Sequence, residues 1–240
     1  MAKGFGDRIR ALFARFGYTC DGCGGEVFDY PNRRLCADCE AAMERNDGKT
    51  CEKCGRKTRS EGVCLACKGN LPHFGKALSP FVYEGVAASL VNRLKNGDRY
   101  LANLFSEELA AKISKTEQVE GALVTCVPLT EEKLRFRGYN QADELAKLVA
   151  EKLGLEYDEE ILIKTKETPP QKNTTGEERR ENVSGAYRVV KRKTVRGKTI
   201  YLIDDIMTTG ATGSECARVL KNAGAKEVVF LTVCSLKERS

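Results

Sequence analysis

Apolar and polar positions change rhythm twice along these 240 residues. Between residues 5 and 16, Ile9, Leu12, Phe13 and Phe16 recur at helical spacing with Arg8, Arg10 and Arg15 around them, which predicts a short amphipathic helix. From about residue 18 to 70 neither a helical nor a strand period persists. Beyond that point, apolar runs alternate with periodic segments. Residues 78–83 predict a strand, 87–95 and 101–113 helices, and 122–127 a buried strand that ends at Pro128 and Leu129. Residues 141–153 form a strongly periodic helix closed by Gly154. Strand 199–203, helix 213–223 with Gly224 behind it, and strand 227–233 complete the order. Strands alternating with helices predict an α/β fold on a parallel sheet, with ligands at the carboxyl ends of the strands. The expected division is an N-terminal helix (1–17), a cysteine module (18–70) and an α/β domain (71–240).

The cysteine module explains the aperiodic stretch. Of eleven cysteines, eight fall into four Cys-x-x-Cys pairs: Cys20 with Cys23, Cys36 with Cys39, Cys51 with Cys54, and Cys64 with Cys67. Glycines directly after Cys23 and Cys54 suit the tight knuckle that turns amides toward thiolates. A single pair would also fit thioredoxin-type redox chemistry, but four pairs favour a double zinc ribbon holding two structural zinc ions. Pairing in sequence order is the default, and an interleaved arrangement stays open. Cys126, Cys216 and Cys234 sit in apolar or helical surroundings and read as small core residues.

Residues 199–212 carry the densest chemistry. An apolar run over 200–203 ends in Asp204 and Asp205, then come Thr208, Thr209, Gly210, Ala211 and Thr212, and then a helix opens. Strand, acidic pair, small-residue turn and helix N-terminus together form an anion cradle, in which backbone N–H groups and the helix dipole favour negative charge. The glycine lets the backbone approach a phosphate, and the threonine hydroxyls add donors. The carboxylates suit sugar hydroxyls, or a magnesium ion held through its waters. A bare Asp-Asp pair would read as the end of a buried strand; the turn and helix in register behind it favour a ligand site. The segment resembles the phosphoribosyl-pyrophosphate (PRPP) loop of type I phosphoribosyltransferases.

Charge adjusts this picture. The formal net charge is +6, but eight zinc-bound thiolates would lower it to about +2. Residues 164–198, too long for an ordinary connector, hold eleven Lys/Arg against four Glu. They read as a basic flap that could close over a polyphosphate. The lone histidine, His73, reads as a solvated linker residue, so no histidine dyad is available. The longest apolar runs, such as 86–91 and 228–233, fall far short of the ~20 residues of a membrane span. The N-terminus lacks a signal-like apolar core, and a cytoplasmic protein is expected.

Several further segments occur in order: Phe81-Val82-Tyr83-Glu84-Gly85, Arg93-Leu94-Lys95, Val127-Pro128-Leu129 and Arg135-Phe136-Arg137-Gly138-Tyr139-Asn140-Gln141. Thr168-Pro169-Pro170-Gln171 and Glu178-Arg179-Arg180 with Asn182 follow. With the cysteine module and the Asp204 loop, they make the chain, from about Cys20 to Ser235, resemble the ComF family. That family joins a zinc ribbon to a phosphoribosyltransferase-like domain and is associated with uptake of transforming DNA. The resemblance implies that Asp204 and Asp205 contact the PRPP ribose, and Thr208, Thr209, Gly210, Ala211 and Thr212 the 5′-phosphate. Val127, Pro128 and Leu129 would meet the pyrophosphate, and residues 168–182 would form the flap, with Arg179 and Arg180 available to phosphates. Magnesium would be held chiefly by the ligand. Single-stranded DNA and a protein of the DNA-uptake machinery are the implied partners.

This sequence departs from the family pattern at Thr174 and Gly176, where leucine and arginine are common, and at Gly213, where an apolar residue is usual. Thr208 stands where purine phosphoribosyltransferases carry an aspartate general base, so the implied catalytic residue is unknown. The leading reading is a ComF-type DNA-uptake protein that binds PRPP and acts, if it turns over, as a PRPP-dependent glycosyltransferase. A nucleobase salvage phosphoribosyltransferase is the alternative, and a domain that only senses PRPP is a third.

Overall fold

Among the described residues, six strands form one sheet in which every pairing is parallel. In the computed structural model, residues 19–27, 34–116, 120–166 and 176–238 are described. The strands are β1 (Lys76–Leu78), β2 (Phe81–Val82), β3 (Leu123–Cys126), β4 (Glu156–Tyr157), β7 (Thr199–Met207) and β8 (Glu227–Ser235). Their order is β1-β8-β7-β3-β4, with β2 continuing beside β8 beyond β1. A separate antiparallel hairpin joins β5 (Leu162–Lys164) to β6 (Tyr187–Val189).

The central strands are buried on both faces, as a parallel sheet requires. On one face Tyr201, Ile203, Val229 and Leu231 pack with helices α3 (Gly85–Lys95), α4 (Leu101–Thr116) and α6 (Gln141–Leu153), through residues such as Leu90, Phe105 and Leu145. On the other, Ile200, Leu202, Val228 and Phe230 meet α9 (Ala211–Asn222) and the β5–β6 hairpin, through Leu220 and Leu162.

Several expected boundaries shift. The 78–83 segment is two short strands, because Ser79 and Pro80 interrupt it and proline cannot continue a ladder. Strand β7 continues through Asp204 and Asp205 to Met207, beyond the predicted end at 203, since β8 keeps pairing with it as far as Ser235. Helix α9 starts two residues early, at Ala211. The long polar stretch contains α7 (Gly176–Val183), β6 and α8 (Arg192–Val195), besides the end of β5. Helix α5 (Glu131–Arg137), capped by Thr130 and closed by Gly138, has no buried residue, so no apolar stripe announced it. The predicted helix at 1–17 lies outside the described residues.

The cysteine module lies against the β1–β2 edge. Ala77 N–H donates to Lys53 O at 2.8 Å and Val82 N–H to Glu44 O at 2.8 Å. Gly55, at φ +64°, sits so close that a Cβ there would stand 2.2 Å from Ala77 O. Two short helices, α1 (Ala37–Ala41) and α2 (Leu65–Gly69), carry the second pair of each cysteine group. Cys20 and Cys39 join the core on the α3–α4 face, whereas Cys51, Cys54, Cys64 and Cys67 join the α9 face. The two groups straddle the sheet edge.

Candidate functional site

The turn from β7 into α9 is built from small residues for a conformational reason. Gly210 caps the helix at φ +81°, which a side chain would strain. Ala211 N–H donates to Thr209 Oγ1 at 3.3 Å and Ser214 N–H to Gly210 O at 2.8 Å. Ala211 is buried, while Thr208, Thr209, Gly210 and Thr212 are half-buried. The helix N-terminus behind them supplies orphan N–H groups and a positive dipole end. Gly213 does not loosen the helix. A Cβ there would stand 2.4 Å from the Phe230 ring, so the glycine lets α9 seat directly on β8.

Asp204 and Asp205 part company because adjacent residues of a strand point to opposite faces. Asp205, 4% exposed, lies on the α3–α6 side, where Lys95 Nζ stands 3.1 Å from Oδ2 and Gln141 Nε2 donates to it at 3.1 Å. It therefore faces protein, contrary to the expectation that both carboxylates face a ligand. Asp204 stays half-buried and accepts from Asp205 N–H at 2.9 Å. Burial, with the Asp205 charge, pushes its carboxyl up to about 8. Asp205 is anchored by its two partners, while Asp204 is biased toward its protonated form.

The 127–129 loop leaves β3 beside that pair. Val127 N–H donates to Ile203 O at 2.9 Å, and Asn140 Nδ2, on the N-cap of α6, donates to Val127 O at 3.0 Å. Pro128 and Leu129 face a cavity of about 360 Å³ together with Arg99, Tyr139 and Asp143. Burial and the nearby Glu159 and Glu144 charges raise the Asp143 carboxyl to about 6. Lys95, Gln141 and Asn140 were not singled out as site residues from the sequence. Their signal was membership of the Arg93-Leu94-Lys95 and Asn140-Gln141 segments.

A second cavity, of about 230 Å³, lies between the cysteine module and the β7–α9 turn. Thr208, Thr209, Gly210 and Ala211 line one wall, with Arg180 of α7 beside them; Cys54, Arg56 and Cys67 line the other. Arg179 also lies in α7, but its side chain, like residues 168–175 of the expected flap, is outside what is described. The basic stretch is split. Arg196 and Lys198 directly precede β7 and stand at the sheet end opposite the turn. Lys191 pairs with Asp158, just past the carboxyl end of β4, at 2.9 Å, and Lys198 with Glu156 at 2.5 Å. The positive field expected beside the turn is reduced accordingly.

Each cysteine group closes in sequence order, which removes the interleaved alternative: Cys20, Cys23, Cys36 and Cys39 converge, as do Cys51, Cys54, Cys64 and Cys67, with all sulfurs in each set within 4.8 Å of one another. Cys23 and Cys36 sulfurs are 3.8 Å apart, and those of Cys54 and Cys64 3.7 Å. Four thiolates about 2.3 Å from a tetrahedral zinc stand about 3.8 Å apart, so both sets fit that ion. Backbone amides support them: Cys36 N–H donates to Cys20 Sγ at 3.2 Å and Cys64 N–H to Cys51 Sγ at 3.3 Å. Cys126, Cys216 and Cys234 are buried apart from both groups, their thiols pushed up chiefly by burial. Among the described residues no helix is long and apolar enough to cross a membrane.

Residues 137–240 match the phosphoribosyl transferase domain family model. Competence protein ComFC of Streptococcus pneumoniae is 29% identical over 198 residues, covering 81% of this chain and 84% of that protein. DNA utilization protein YhgH of Escherichia coli O157:H7 is 28% identical over 206 residues, covering 83% of this chain and 89% of that protein. Among solved structures, glutamine PRPP amidotransferase from B. subtilis aligns at 23% identity and a TM-score of 0.34, over 61% of this chain and 26% of its own.

Proposed function

We propose, from this homology to ComFC and YhgH proteins and from the phosphoribosyl transferase domain, that the chain is a cytoplasmic ComF-type protein of DNA uptake that binds PRPP with magnesium. The observation that carries the reading is the convergence, at one sheet end, of the Thr208–Ala211 turn, Asp204 and the 127–129 loop. The turn and the α9 N-terminus would take the 5′-phosphate, reached also by Arg180. Asp204 would meet the ribose hydroxyls, and the 127–129 loop the pyrophosphate. Magnesium would neutralise the polyphosphate and draw on Asp204 once that carboxyl is ionised. Lys95 and Gln141 hold Asp205 in place behind it.

Two structural zinc ions, one per cysteine group, belong to the same reading. So does single-stranded DNA. Phe136 stands 95% exposed on α5, flanked in sequence by Arg135 and Arg137, a placement suited to stacking a base between phosphate contacts.

The deciding experiment is calorimetry of PRPP with magnesium against the full-length protein and Asp204→Asn, followed by a panel of nucleobases with pyrophosphate release as readout. Binding that weakens in the variant supports the assignment. Unchanged affinity in the variant puts the ligand elsewhere, and rapid pyrophosphate release with one free base would make the protein a salvage enzyme instead.

A further inference from the structure

Arg56 connects two sites that lie 152 residues apart in sequence at its point of contact. Its side chain is 7% exposed. Nε donates to Cys54 Sγ at 3.1 Å, and Nη2 donates to Thr208 O at 3.1 Å. Cys54 belongs to the second cysteine group, and Thr208 opens the turn that caps α9. A buried guanidinium is costly without anionic or strongly accepting partners, and its planar fork fixes the angle between the two groups it serves. Backbone on both sides is pinned as well. Cys51 N–H donates to Arg56 O at 2.9 Å, which closes the knuckle, and Gly55 N–H donates to Cys51 O at 2.8 Å. Arg56 therefore cannot keep the turn and abandon the knuckle without losing a hydrogen bond at one end.

We infer that Arg56 is a positioning residue for the β7–α9 turn, and that metal occupancy of the second cysteine group sets how well ordered that turn is. Four thiolates with one zinc ion carry a net charge of about −2, which gives the guanidinium a fixed anionic partner at Cys54. When the group is emptied, no ion holds the four sulfurs in one place, and the partner at Cys54 is no longer fixed. The second donor arm then holds Thr208 O from a side chain with no anchored end. The first cysteine group supplies an internal control, because it packs on the opposite face of the sheet edge, with α3 and α4. Only the second group is placed to act on the turn.

This inference deepens the proposed phosphate site, on which its binding arm rests, while its exchange arm reads the turn directly. The experiment is hydrogen exchange on full-length, zinc-loaded protein, following peptides that cover 205–214 and those of both cysteine groups. Five proteins are compared: wild type, Arg56→Met, Cys64→Ser, the double variant, and Cys36→Ser. Arg56→Met and Cys64→Ser should each speed exchange across 208–213 by about tenfold, roughly the loss of one charge-assisted hydrogen bond. The double variant should add little to either, and Cys36→Ser should leave 208–213 unchanged. Affinity for PRPP with magnesium should follow the same order. Arg56→Lys keeps the charge without the fork and should fall between wild type and Arg56→Met; it also serves if Arg56→Met fails to fold.

Wild-type exchange at 208–213 in Arg56→Met, or full additivity in the double variant, would overturn the coupling. So would an effect of Cys36→Ser equal to that of Cys64→Ser. Coupled exchange without any PRPP binding would retain the inference and reject the phosphate assignment.

Discussion

Lys95 Nζ lies 3.1 Å from Asp205 Oδ2, at the end of α3 and within β7 respectively. This pair turns two neighbouring aspartates into two different groups. The buried Asp205 is anchored by Lys95 and Gln141, and its charge helps to keep a proton on Asp204. Lys95→Met should therefore cost about 2–4 kcal/mol of stability, by stranding a buried carboxylate. Adding Asp205→Asn should return much of that loss. Chemical denaturation of both single variants and the double variant measures the coupling, and strictly additive effects would refute it.

Asp204 predicts a pH dependence with a definite sign. Its folded carboxyl is raised to about 8, whereas an unfolded aspartate ionises near 4. The folded state thus holds a proton that the unfolded state releases. Its contribution is intact below about pH 4 and is lost as pH climbs toward about 8, on the order of 1 kcal/mol per pH unit across that window. Asp204→Asn does not titrate, so it should melt progressively higher than wild type as pH rises from 5 to 8 in metal-free buffer. A gap that stays constant or narrows would contradict the assignment.

Gly213 gives a packing prediction. Alanine has the better helix propensity by ~1 kcal/mol, yet a Cβ at 213 meets the Phe230 ring at 2.4 Å. Gly213→Ala should therefore destabilise by about 1–3 kcal/mol through overpacking. The losses from Gly213→Ala and Phe230→Leu should combine to less than their sum, which thermal melts of the two single variants and the double variant would establish.

What the sequence disclosed and what it hid follow from physical range. The β7 strand, the Thr208–Thr212 turn, α6 and both cysteine groups were legible because local spacing determines them. The pairing of Lys95 with Asp205 spans 110 residues and depends on where α3 ends relative to β7, which no local pattern encodes. The separation of the two aspartates was readable in principle from strand alternation, once the strand was known to run through them. Helix α5 escaped notice because it carries no buried face. The basic stretch misled because charge was counted along the chain, while in the fold Arg180 lines the cavity at the turn and Lys198 stands before β7, paired with Glu156.

The cysteine groups should hold two zinc ions per chain, measurable by elemental analysis of reduced protein. Because Cys51, Cys54, Cys64 and Cys67 share a core with Phe74, Ala77 and Met207, chelation should do more than unfold residues 18–70. Exchange should also rise in β1 and along the edge of β8. Protection there that survives complete removal of zinc would mean that the α/β domain stands without the module.

Phe136 offers the sharpest test of the nucleic-acid half of the reading. Nothing on α5 is buried, so substitutions there should leave the fold intact and report on binding alone. Base stacking on an exposed ring contributes ~1–3 kcal/mol, so Phe136→Ala should weaken binding of a labelled single-stranded oligonucleotide by about tenfold, whereas Phe136→Trp should preserve it. Arg135→Ala should act differently, lowering the steepness of the salt dependence by about one ion as a phosphate contact is lost. Fluorescence anisotropy on the full-length protein at several salt concentrations separates the two effects. The intact chain is needed because the cysteine groups and the sheet share their cores. Wild-type affinity in Phe136→Ala, with an unchanged salt slope in Arg135→Ala, would move the DNA surface away from α5.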